Sequence, residues 1–302
     1  MYKGRVLGGV MKEHTDIPPG VFNVVTSEDP KEVGDQLVGD PRVDMVSFTG
    51  STAVGKHIMA RAAQTVKKVF LELGGKSANI ILDDADLSSS LLSVLAVCFH
   101  SGHGCAINTR LLIPRSRQAD VEALLPTYFG FIQYGDPSSD SQIMGPLVNA
   151  RQRERVLNYI ELGKAQGARV LIGGGVPAHL DKGYYVEPTV FMDVTNEMTI
   201  AREEIFGPVL AVIAYDDEDD AVRIANDSDY GLSGSVWSET DEHALAVARR
   251  IRAGTINVNG GNFYGADAPF GGYKQSGLGR EMGREGFEEY LETKTIAIAI
   301  GE

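Results

Sequence analysis

Cys105 closes the run Cys98-Phe99-His100-Ser101-Gly102-His103-Gly104-Cys105, and Glu72 stands within Phe70-Leu71-Glu72-Leu73-Gly74-Gly75-Lys76. One thiol and one carboxylate thus sit at the mouths of glycine turns. That pairing suits covalent cysteine chemistry, in which a thiolate attacks an electrophilic carbon and a nearby carboxylate moves protons. Glu72, between Leu71 and Leu73 at the end of a β-type run over residues 69–73, is set for partial desolvation, which raises a carboxyl pKa toward that of a general base. The apolar residues 91–99 read as a buried helix that ends where Gly102 and Gly104 interrupt it, leaving Cys105 on a loop. Cys98, inside the apolar run, reads as structural. A lone cysteine is more often a small buried hydrophobe than a nucleophile, and here the surrounding glycines shift that balance. A zinc cluster of Cys98, His100, His103 and Cys105 has suitable ligand types, but its spacing matches none of the usual paired motifs.

The elements that must position these groups alternate along the chain. A short helix-like opening is broken by Pro18-Pro19-Gly20, and a β-type run, Val21-Phe22-Asn23-Val24-Val25, follows. A second β-type run over residues 43–48 leads into Gly50-Ser51-Thr52, and Val54, Ile58, Met59, Ala62 and Val66 then recur at helical spacing. This strand, turn and helix leave the first helical amides facing outward, as an anion site requires. Further on, a helix over residues 151–165 is followed by β-type Arg169-Val170-Leu171-Ile172, Tyr184-Tyr185-Val186 and residues 209–214. Helices are predicted over 219–226 and 242–252. Such alternation implies an α/β fold with open, largely parallel sheets. The acidic run Asp216-Asp217-Glu218-Asp219-Asp220 reads as a solvated loop feeding a helix N-terminus.

The 302 residues, 43% hydrophobic, suffice for a sizeable core and about two domains. A net charge of −13 argues against a nucleic-acid backbone as partner. Two cysteines at these positions form no disulfide framework and fit a reducing, cytoplasmic setting. No apolar run approaches the ~20 residues that span a bilayer, and no secretion signal is visible.

Five segments together match one family: Phe48-Thr49-Gly50-Ser51-Thr52-Ala53-Val54-Gly55, Leu71-Glu72-Leu73-Gly74-Gly75-Lys76-Ser77, Gly102-His103-Gly104-Cys105, Glu203-Glu204-Ile205-Phe206-Gly207-Pro208-Val209, and Pro269-Phe270-Gly271-Gly272-Tyr273-Lys274-Gln275-Ser276-Gly277 with Gly279-Arg280-Glu281. In that order, over roughly residues 17–295, the chain resembles the aldehyde dehydrogenases. The resemblance implies oxidation of a small-molecule aldehyde to a carboxylic acid, with Cys105 as nucleophile passing through a thiohemiacetal and a thioester, and Glu72 as the base that activates hydrolytic water. It implies NAD as cofactor, with NADP left open: Gly50 and Ser51 at the pyrophosphate, Val54 on the adenine side, Glu204 at the nicotinamide ribose hydroxyls and Phe206 beside the ring. The family's second carboxylate corresponds to Glu281. No G-x-G-x-x-G is present, so the ordinary Rossmann phosphate signature does not apply.

The resemblance also implies a chain that starts in the middle of the family's architecture, without the first strands of the cofactor domain and the oxyanion asparagine. The domains expected are a cofactor-domain remnant over 1–74, a catalytic domain over 75–275, and a return segment with a C-terminal oligomerisation strand over 276–302. Residues 295–300 alternate large and small apolar side chains, an edge suited to homo-oligomer formation. His103 replaces the family's usual glutamine, where an imidazole could lower the thiol pKa or simply pack. The alternative is a catalytically impaired fragment, or a subunit completed by a partner.

Overall fold

The computed structural model describes residues 2–262 and 264–300. By packing, the chain divides into two units, Met1–Val46 with Lys56–Val69, and Ser47–Gly55 with Phe70–Glu302. The strands are β1 (Met45–Thr49), β2 (Lys68–Glu72), β3 (Ser77–Ile81), β4 (Asn108–Pro114), β5 (Arg169–Ile172), β6 (Thr189–Met192), β7 (Val209–Tyr215), β8 (Ser233–Trp237), β9 (Thr255–Val258) and β10 (Gly277–Leu278). The α-helices are α1 (Tyr2–His14), α2 (Pro30–Gly39), α3 (Thr52–Ala62), α4 (Leu87–Ser90), α5 (Gln118–Phe129), α6 (Ala150–Ala165), α7 (Thr199–Arg202), α8 (Glu218–Asn226), α9 (Asp241–Ala248) and α10 (Gly283–Glu288).

In the first unit, Asp29 caps α2 by accepting from the amides of Lys31 and Glu32, and Val38, Ile58 and Ala62 are buried. The second unit is built on a seven-stranded sheet of order β5-β6-β7-β4-β3-β8-β9, parallel throughout except for the β5–β6 pair. Side chains alternate across it. Ala78, Ile80 and Leu112 face one apolar cluster with α6, α8 and α9, whereas Ile81, Leu111 and Ile113 face another with α5 and residues 91–98. Burial on both faces is what makes these central strands nearly continuous apolar runs. Helix starts follow local chemistry: Asn149 caps α6, Thr240 caps α9, and Asp217 caps α8, whose first turn holds the acidic run where carboxylates oppose the helix dipole.

The α/β, largely parallel architecture agrees with the sequence reading, with four differences. Residues 21–25 form no strand, because their apolar side chains are exposed and have no sheet to join. Tyr184 to Val186 are not a strand either; Tyr185 is buried as an anchor, its hydroxyl donating to Gly135 O at 2.7 Å. Residues 91–102 form a 3-10 helix, broken at Phe99, His100 and Ser101. The C-terminal residues 291–300 carry no regular secondary structure, and Ile296, Ile298 and Ile300 are exposed. Among the described residues no helix is long and apolar enough to cross a membrane.

Candidate active site

Gly50 to Gly55, Glu72 to Gly75 and everything from Gly102 to Glu281 lie in the second unit. A cleft of about 880 Å³ opens there, lined by residues 49–53, 72–74 and 103–105, by Arg151, Gln152 and Arg155 of α6, by Glu203, Glu204 and Phe206, and by Tyr230. It sits at the amino ends of β3, β4, β7 and β8, the side opposite to where doubly wound sheets usually take ligands. Its other wall comes from the carboxyl ends of β1 and β2. There the Gly50 amide donates to Glu72 O at 3.0 Å, and Leu73 N donates to Ser276 O at 2.9 Å. The Ser276 hydroxyl, fully buried, donates to Gly74 O at 2.6 Å and accepts from Gly231 N at 2.9 Å, pinning two wall loops together.

Glu72 ends β2 with its carboxyl 3% exposed, and neither oxygen has a hydrogen-bond partner. Burial, and after it the charge of Glu281, pushes its pKa up to about 8, against a smaller pull from Arg280. Glu281 reaches this region because its backbone pairs with Phe270 in both directions at 2.7 Å. Cys105 is half-buried on the loop before β4, and Cys98 is sealed. Burial, then the charges of Glu72 and Glu204, raise the Cys105 thiol above its ordinary pKa, partly offset by the backbone amides of Ala106 and Cys105. His103 stacks on Phe206 with ring centroids 5.2 Å apart at 19°. Burial lowers its own pKa.

The Glu203–Phe206 turn is held from α6. Arg155 donates to Glu204 O at 2.7 Å, Tyr159 OH donates to Glu203 Oε2 at 2.6 Å, and Gln152 Nε2 donates to Phe206 O at 2.7 Å. Phe206 takes a left-handed φ of 59°, a conformation those anchors sustain. Glu204 Oε1 accepts from Gly75 N at 3.1 Å. The cleft thus brings together Cys105, Glu72, Gly50, Ser51, Glu204 and Phe206. Val54 is not part of its lining and stands exposed on the first turn of α3. Sequence reading missed Lys76 and Arg110, both buried, the wall residues Arg155 and Tyr230, and Ser276, which pins two wall loops from behind. Lys76 lies between Gly75 and Ser77 and Arg110 heads the apolar run Leu111-Leu112-Ile113, and a charged side chain by itself carries no burial signal in sequence. Among the described residues no group of three His, Cys, Asp or Glu is arranged to hold a metal ion.

Residues 6–296 match the model of the aldehyde dehydrogenase family. The chain is 48% identical over 286 residues to a 3-succinoylsemialdehyde-pyridine dehydrogenase of a Pseudomonas species, covering 94% of this chain and 60% of that protein. It is similar to a Mycobacterium tuberculosis aldehyde dehydrogenase complexed with NAD+, at TM-score 0.87 and 46% identity over 90% of this chain and 56% of the other. A variant of aldehyde dehydrogenase C from Pseudomonas syringae, complexed with NAD+ and octanal, matches at TM-score 0.89 and 47% identity over 92% and 57%. The chain therefore spans about 60% of the length of such relatives.

Proposed function

The chain belongs to the aldehyde dehydrogenase family, and from that premise we propose that it serves oxidation of an aldehyde to a carboxylic acid, with Cys105 as nucleophile, Glu72 as base and NAD as cofactor. One observation carries this reading: a half-buried thiol and a sealed, partnerless carboxyl line the same cleft as the Gly50-Ser51 turn and Glu204. The cleft volume of about 880 Å³ is of the order of small-molecule and cofactor sites.

The Cys105 thiol is held protonated at neutral pH, so it needs a base as its sulfur bonds to the carbonyl carbon. Glu72, with a pKa near 8, is matched to that proton, and the amides of Ala106 and Cys105 favour negative charge on the sulfur. NAD, when bound, supplies the hydride acceptor. Glu72, having released its proton to solvent, then deprotonates the water that opens the thioester on Cys105, freeing the acid and the thiol. Gly50, Ser51 and the first amides of α3 suit the pyrophosphate, Glu204 the ribose hydroxyls and Phe206 the ring face, with Val54 toward the adenine. The same reading carries a homo-oligomer built through residues 295–300 and a cytoplasmic setting.

Aldehyde-dependent NADH formation by the purified chain tests this. Turnover lost in Cys105→Ala supports it, and turnover that survives Cys105→Ala overturns it. NAD binding without turnover would favour a chain that a partner subunit completes.

A further inference from the structure

Arg151, Gln152 and Arg155 of α6 line the cleft on one side, and Gly50, Ser51, Thr52 and Ala53 line it on another. Two of the three α6 side chains are committed to the protein itself. Gln152 Nε2 donates to Phe206 O at 2.7 Å and to Ile205 O at 3.2 Å. Arg155 donates to Glu204 O at 2.7 Å and to the Tyr159 hydroxyl at 3.2 Å, with its guanidinium 5.0 Å from the centre of the Tyr159 ring. Arg151 is exposed, and among the described residues its side chain makes no hydrogen bond, ion pair or ring contact. The carboxylates of the neighbouring turn are bonded elsewhere: Glu203 Oε2 accepts from the Tyr159 hydroxyl at 2.6 Å, and Glu204 Oε1 accepts from Gly75 N at 3.1 Å.

The position of Arg151 is unfavourable for the helix. It is the second residue of α6, whose first turn holds no carboxylate, so its charge meets the positive end of the helix dipole. It also stands at i against Arg155 at i+4, a like-charge spacing that destabilises a helix face. A negative ligand in the cleft offsets both costs. Resting on the reading of the cleft as a cofactor site, we propose that Arg151 is a cofactor-binding residue whose guanidinium takes phosphate oxygens of a dinucleotide's pyrophosphate seated at the Gly50-Ser51 turn. The planar fork of a guanidinium donates two parallel N–H groups to a pair of phosphate oxygens, which a single ammonium cannot do. The chain as a whole carries a net charge of −13, so an anion entering the cleft is repelled at long range. Arg151 supplies a local attraction that the committed Arg155 cannot.

The test measures binding of NAD and of inorganic pyrophosphate to the full chain by calorimetry, for the wild type, Arg151→Gln, Arg151→Lys and Arg153→Gln. Arg153 is the control for charge alone, because it lies outside the cleft lining with its guanidinium 5.6 Å from the centre of the Tyr184 ring. Arg151→Gln should weaken both ligands roughly tenfold, the worth of a charge-assisted hydrogen bond. Arg151→Lys should recover part of that loss, since it keeps the charge and gives up the fork. Arg153→Gln should stay within about twofold of the wild type. The gap between the wild type and Arg151→Gln should narrow as salt rises from about 50 mM to about 500 mM, because screening removes the attraction that only the wild type has. Wild-type affinity for both ligands in Arg151→Gln, an equal loss in Arg153→Gln, or a gap indifferent to salt overturns the proposal. A wild type that binds pyrophosphate but no NAD overturns the cofactor reading, and the pyrophosphate series then still decides whether Arg151 holds the anion. A wild type that binds neither overturns both.

Discussion

Arg110 and Glu72 are almost equally sealed, at 1% and 3% exposed, but their surroundings differ completely. The Arg110 guanidinium donates to Lys76 O, Asn196 Oδ1, Ile224 O and Ala225 O at 2.9–3.0 Å. Ile224 O and Ala225 O are carbonyls of the last turn of α8, Lys76 O precedes β3 and Asn196 follows β6, so the guanidinium on β4 ties α8 to the sheet. Glu72, a few residues away in sequence from Lys76, has no partner for either oxygen. A buried charge with a full set of acceptors is a structural knot, whereas one left bare carries a perturbed pKa that chemistry can use. Arg110 stays charged even with burial lowering it to about 10, while Glu72 is neutral over most of the physiological range.

Four measurements can break or sharpen this contrast. Arg110→Met strips donors from four buried acceptors and should cost about 3–5 kcal/mol in denaturant unfolding. A loss below about 1 kcal/mol would remove Arg110 from the structural side. Glu72→Gln should slow any aldehyde-dependent turnover by about 10²–10⁴-fold, and wild-type turnover should climb as pH rises through about 8, where the base form appears. The same variant should fold more stably at alkaline pH, by roughly 1–3 kcal/mol. The native pKa near 8 lies above the ordinary 4.5, so the native state holds its proton more tightly and wild-type stability falls as pH rises between those values. Glu72→Gln lacks that fall, and a parallel pH profile for both proteins would place the carboxyl in a solvated site. Smallest in scale, a mild alkylating agent should label Cys105 at least about tenfold faster than Cys98, whose thiol burial pushes up to about 12. Comparable labelling would show that the 3-10 segment opens.

Much of the cleft was legible because its signals are local. The apolar residues 43–48 and the Gly50-Ser51 turn give β1 and the start of α3, and the glycines around Cys105 place it on a loop before β4. The strands β3, β4, β8 and β9 drew no individual expectation. Each mixes polar side chains such as Asn79, Asn108, Ser233 and Ser235 into its apolar run, and those polar groups pair across strands: Asn108 Nδ2 donates to Ser235 Oγ at 2.7 Å, and Ser77 and Ser233 hydroxyls meet at 2.8 Å. Pairing partners distant in sequence are invisible to periodicity. The reverse error befell residues 21–25, where the apolar pattern is right for a strand and no neighbour is there to pair with it. The thiol's raised pKa was equally hidden, since it depends on Glu72 and Glu204, which lie far from Cys105 along the chain.

Gly102 has a left-handed φ of 75°, and a Cβ there would fall 2.1 Å from the carbonyl carbon of Gly207. Gly207 in turn leaves only 2.4 Å between its own would-be Cβ and Val156 Cγ2. The loop of Cys105 and the turn of Phe206 are therefore in backbone-to-backbone contact, with His103 stacked across the seam. For sequence drift or directed evolution this makes a dead spot directly behind the lining of the cleft. A side chain gained at position 102 has no compensating loss available, because its neighbour is already bare. Retuning of the site must come instead from the rim, where Arg151, Thr52 and Tyr230 offer side chains that can change size one at a time.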